Sequence, residues 1–170
     1  MFECLQYDTG TSGKIKSASN NQASPKSIFV TWLAILDRLV TKDRLLVWQI
    51  PCDPCCFFYA GVDENVNHLF FDCSYSNVIW SSMLQILGFT RPVLSFADEL
   101  HWIAKCCRKT DARSRLIVMY FSETVYNVWL QSNALMFTGN CKSVSDLIRE
   151  IIFLVACICN SIDRYLLYSA

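Results

Sequence analysis

Residues 48–73 read WQIPCDPCCFFYAGVDENVNHLFFDC, and the rest of the chain is arranged around them. This stretch carries four of the ten cysteines and one of the two histidines, with one Gly and two Pro. Soft thiolates and an imidazole gathered over so short a span point to a small structural metal site, with zinc the first expectation. Two ligand registers fit. The first pairs Cys52 with Cys55 on a turn, then adds His68 and Cys73 about one helical turn apart. The second starts from Cys56, reaches Tyr59 three residues on, and then uses the same His68 and Cys73. A neutral phenol is a poor zinc ligand, so the second register is one thiolate short.

Outward from this stretch, apolar side chains recur at helical spacing on both sides. Upstream, Ser24 caps and Pro25 opens a helix whose expected inner face is Ile28, Phe29, Trp32, Leu33 and Leu36. Thr41, accepting a backbone bond, starts a second helix with Leu45 and Trp48 on its apolar side, ending before Pro51. Downstream, Ser74 is the expected cap of a helix carrying Val78, Ile79, Met83, Ile86 and Leu87, with Gly88 as its stop. Ser95 opens the next, with Asp98 and Glu99 at its positive end and Leu100, Ile103 and Ala104 turned inward. Residues 112–137 read as one long helix closed by Gly139, facing inward through Leu116, Tyr120, Val125, Val128, Trp129 and Leu135. Ser143 and Asp146 resemble a capping pair for a last helix running to about Tyr168. The only local β-type feature is a short turn over residues 57–62.

The fold class is therefore mainly α. A helical hairpin leads into a short zinc-knuckle-like Cys/His insert, and a small bundle of longer helices follows. The division by sequence character is a loose polar arm over 1–24, a hairpin-and-insert unit over 25–88, and a helical extension over 89–170.

Bulk properties narrow the function. With 15 basic and 15 acidic residues in 170 the formal charge is zero, so a nucleic-acid role would need a local patch. The candidate is Lys105, Arg108, Lys109, Arg113 and Arg115, for which a solvated junction between helices is the simpler reading. The longest apolar run, Ile151 to Cys159, is far short of the roughly 20 residues that cross a bilayer. No signal core follows Met1, so the expected setting is a reducing, intracellular one, nuclear or cytoplasmic rather than secreted. There the remaining cysteines (Cys4, Cys106, Cys107, Cys141, Cys157 and Cys159) are expected to pack as small hydrophobes. The five tryptophans are expected in the core. His101 reads as a surface residue. No nucleophile–base set, acidic pair or small-molecule site is recognisable, which points away from an enzyme.

A resemblance joins these landmarks. Pro25-Lys26, Phe29, Trp32-Leu33-Ala34, Arg38-Leu39, Thr41, Asp43-Arg44-Leu45 and Trp48 keep the order of one plant family, as do Cys56, His68-Leu69-Phe70-Phe71, Cys73 and Trp80. The chain resembles the reverse-transcriptase zinc-binding domain found at the end of non-LTR, LINE-type retrotransposon polyproteins. Tyr126, Trp129, Asn133 and Phe137 resemble the helical tail that often follows it. The resemblance implies the second register, with Cys56, His68 and Cys73 as metal ligands. Tyr59 stands where the family has Cys, so Cys52 or Cys55 is the candidate substitute for a fourth ligand. It further implies a non-catalytic zinc module associated with RNA or DNA and partly degenerate here. A metal-free helical remnant that contacts another protein is the alternative.

Overall fold

The computed structural model describes residues 23–109, 111–161 and 163. The expected loose arm therefore lies outside the described residues except at Ala23 and Ser24. Six α-helices are described, with no strand among the described residues. In chain order they are α1 (Pro25–Ile35), α2 (Lys42–Val47), α3 (Ser74–Ile86), α4 (Phe96–Cys107), α5 (Ala112–Thr138) and α6 (Val144–Ile158), with a π-helical turn over His68–Asp72 before α3.

The helix α5 is the axis of the molecule. Every residue from Met119 to Val125 is buried, so this helix has no solvent face at its middle. A helix hydrophobic or small on all sides must be enclosed. The enclosing elements are α1, α4 and α6, with α3 and the π-helical turn filling the remaining side. An aromatic cluster marks the centre. Phe71 packs on Trp80, Phe96 and Phe121 with ring centroids 6.1, 5.7 and 5.9 Å away, and the Trp80 and Phe121 rings meet edge to face at 5.5 Å. All four rings are buried.

Helix ends follow local chemistry closely. Ser24, Ser95, Asp111 and Ser143 each accept an amide three residues on. Gly139 closes α5 at φ 70°, a left-handed value that suits glycine. Two expected caps differ. The Thr41 hydroxyl makes no backbone cap and donates instead to Asp43 Oδ1. The cap of α3 is Cys73 rather than Ser74, which already lies inside the helix.

Several expected faces also rotate. On α1 the buried set is Ser27, Ile28, Val30, Thr31 and Ala34, while Phe29 and Leu36 are exposed. Three of the buried set, Ser27, Thr31 and Ala34, are small, which suits a helix lying against α5. On α3, Trp80 and Leu84 are buried and Val78 is exposed. Of the five tryptophans only Trp80 is fully buried; Trp48 is 49% exposed at the end of α2. Cys106 and Cys159 are buried as expected, but Cys141 and Cys157 are exposed. The last helix stops at Ile158, where Cys159 turns extended, and the Asn160 side chain accepts the Asp163 amide at 2.8 Å as a fresh start. The expected continuation over 164–168 lies outside the described residues.

Candidate metal centre

The site is built by one closed loop and one distorted turn. The loop closes where Cys55 bridges Asp63 in antiparallel fashion, with Cys56 N donating to Val62 O at 2.8 Å and Glu64 N to Pro54 O at 2.9 Å. This is the short turn expected over 57–62, and it holds Cys56 inward with 3% exposure. Phe58 stacks on Tyr75 at 4.1 Å with an interplanar angle of 3°, which straps the loop onto the start of α3.

The turn solves a problem of angle. In a regular α-helix, residues five apart stand about 140° apart around the axis, so His68 and Cys73 would point different ways. Over His68–Asp72 the backbone widens to π-helical form, and Cys73 N reaches back to His68 O at 2.8 Å. A π turn carries more residues per revolution, so five positions return close to one side. Asn65 starts this segment by accepting the His68 amide on its side chain at 2.9 Å. Leu69, Phe70 and Phe71, each at most 1% exposed, nail the turn into the core.

The result is a three-residue cluster. Cys56, His68 and Cys73 are all buried, and their ligand atoms lie within 4.8 Å of one another. The two sulfurs are 4.0 Å apart. Tetrahedral zinc with Zn–S near 2.3 Å would set them about 3.8 Å apart, so little movement is needed. His68 Nε2 is buried with no hydrogen-bond partner among the described residues. An orphaned buried imidazole nitrogen is costly, and coordination would satisfy it. On this observation the residues fit a zinc ion.

Electrostatics prepare the sulfurs unequally. The hydrogen bond shared by the two sulfurs, together with burial, pushes Cys56 well above its usual range, and the same bond brings Cys73 down to about 7 against the effect of burial. The backbone amides of Tyr75 and Ser76 also favour the Cys73 thiolate. They belong to the first turn of α3, where the helix presents its positive end to its own cap residue. The amides of Phe58 and Tyr59 act on Cys56 in the same direction but more weakly than the shared proton. The fold thus favours ionisation of Cys73 ahead of Cys56.

Cys52 and Cys55 stand outside this cluster. The Cys52 thiol rests on Lys42 O at 3.7 Å, and the Cys55 carbonyl accepts from Lys42 Nζ. Tyr59 is 53% exposed and, with His68 and Asp72, lines a shallow surface recess beside the cluster. The basic residues divide. Lys105, Arg108 and Lys109 are exposed at the end of α4. Arg113 donates to Leu87 O and lies over the Phe89 ring at 4.3 Å, and Arg115 pairs with buried Asp163, its Nε 3.0 Å from the carboxylate.

Sequence reading missed the buried ions that hold the site in place. Lys42 is 1% exposed with its ammonium 3.3 Å from the centroid of Phe57. Glu64, 3% exposed, accepts the Lys42 amide and the Ser132 hydroxyl, both at 3.3 Å, and so ties the site to α5. Their only signal was position, since both lie beside the Cys/His stretch.

No curated protein and no solved structure matches the chain. Residues 1–80, which contain Cys56, His68 and Cys73, match the family described as zinc-binding in reverse transcriptase.

Proposed function

We propose that this chain is a non-catalytic zinc-holding helical module that descends from the reverse-transcriptase end of a plant LINE-type retrotransposon polyprotein. Cys56, His68 and Cys73 would hold the ion, which supplies cross-linking between the 56–64 loop and the start of α3. The observation that carries this reading is the burial of three ligand groups around one point, with His68 Nε2 unsatisfied by the protein itself. The matched family supports it. An association with RNA or DNA belongs to the same reading. Of the five basic residues first considered for it, Arg113, though exposed, is held by Leu87 O and the Phe89 ring, and Arg115 is paired with Asp163; Lys105, Arg108 and Lys109 are then the residues to meet phosphate in an intracellular, reducing setting.

Zinc stoichiometry tests the metal. Purified native protein is expected to hold about one zinc per chain, and Cys56→Ser, His68→Ala and Cys73→Ser are each expected to lose it. Retention by all three would refute the assignment. For nucleic acid, gel shifts with single-stranded RNA and DNA are expected to weaken as salt rises; no salt-sensitive shift would remove that part.

A second reading is favoured by exposed rings on the later helices. Phe137 is 79% and Phe153 is 66% exposed, on α5 and α6. A metal-free module that contacts another protein through these helices would show no zinc at all, and the same stoichiometry separates the two.

A further inference from the structure

Three protein groups converge on the cluster, and zinc ordinarily takes four. Where a fourth donor would come from is decided by what stands beside His68. Of the nearest thiols in the sequence, Cys52 rests on the Lys42 carbonyl, and neither it nor Cys55 belongs to the cluster. The neighbouring space is the recess lined by Tyr59, Val62, His68, Asp72, Ser74, Asn77 and Val78, which opens to solvent. His68 is the one side chain common to the cluster and the recess. Resting on the zinc reading above, we infer that the fourth coordination position faces this recess and is held by exchangeable water that a small neutral nitrogen donor of the imidazole class displaces.

The donor class follows from charge. Two thiolates and a neutral imidazole already cancel the +2 of zinc, so an added anion would leave the site negative. Asp72 adds a carboxylate to the recess wall and repels anions further. A neutral imidazole carries no such cost, and its second ring N–H is the kind of group a carboxylate accepts beside a metal. Val62 and Val78 give the ring an apolar wall. The structural role of three fixed ligands and the exchange at the fourth coexist, as in sites that keep one open position.

Cobalt(II) is the probe, because its visible bands report the donor set directly. The cobalt-loaded full chain is expected to show a saturable band shift on titration with imidazole and a far weaker response to azide. Tyr59→Cys, which places a thiol in the recess, is expected to abolish the imidazole shift. Asp72→Asn is expected to weaken imidazole binding about tenfold. A blocked histidine amide that reproduces the shift would name a protein side chain as the natural donor; a free ring alone acting would name a small molecule. Both results support an open position. Cobalt bands insensitive to imidazole overturn the inference, and a change on Tyr59→Phe, Cys52→Ser or Cys55→Ser would then identify the internal ligand. Azide binding more tightly than imidazole also overturns it. Failure of cobalt to bind, or binding unaffected by Cys56→Ser with far-ultraviolet dichroism intact, overturns the zinc reading itself, and the inference falls with it.

Discussion

Glu64 carries an unusual load for a charged residue. It is buried, its carboxylate meets the Lys42 amide and Ser132, and burial raises its pKa from the ordinary 4.5 despite the nearby Lys42 charge. A raised folded-state value means stability is fully present below pH 4.5 and is lost as pH rises through that folded value. Glu64→Gln never ionises. The melting temperature of Glu64→Gln minus that of the native chain is therefore expected to grow as pH increases from 4 to 8. Thermal melts at several pH values check this; a difference flat with pH would show that the carboxylate stays neutral or finds full compensation. His68 and Cys73 could be picked out of the sequence because thiol and imidazole at close spacing have few other uses, whereas Cys56 is preferred to Cys52 and Cys55 only through the family resemblance. Lys42, Glu64, Glu99 and Glu123 could not be picked out, since charge ordinarily marks surface. Their burial depends on particular partners, near or far in sequence: Glu99 takes both guanidinium arms of Arg91 at 2.7 Å, and Glu123 accepts the amide of far-removed Ser24 at 3.2 Å.

At the scale of elements, the ends of helices were easier to read than their faces. Ser24-Pro25, Ser95, Ser143 and Gly139 act through bonds within three or four residues, so the information is local. A face is chosen by whatever packs against it. Helix α1 turns Ser27, Thr31 and Ala34 inward because α5 comes close, and nothing within α1 announces that neighbour. The π-helical turn was equally hidden, since its five residues obey ordinary helical patterning. Gly139 offers a clean test of a local determinant. A Cβ there would meet nothing within 4 Å, so Gly139→Ala isolates the cost of the left-handed backbone. It is expected to destabilise the protein by about 1 kcal/mol in urea unfolding. A neutral result would mean the end of α5 relaxes to another conformation without penalty.

Across the whole molecule, a single buried cluster runs from Ala23 to Cys159. It mixes residues from both sides of the division at residue 88, with Phe71 and Trp80 on one side and Phe96 and Phe121 on the other. Removing a ring at this junction should be felt everywhere. Phe121→Ala is expected to cost about 3–5 kcal/mol. It should lower the unfolding midpoint equally by tryptophan fluorescence and far-ultraviolet dichroism. Separate midpoints would show that the two sequence regions unfold independently. The same unity gives the widened turn at His68–Asp72 an evolutionary consequence. Lengthening the exposed 57–62 loop by a residue alters chain-closure entropy by only about a few tenths of a kcal/mol. An insertion between His68 and Cys73 would carry the second sulfur roughly 120° around the axis from the imidazole. Length variation among descendants of this sequence should accumulate in the loop, while no residue is gained between imidazole and thiol for as long as an ion is kept.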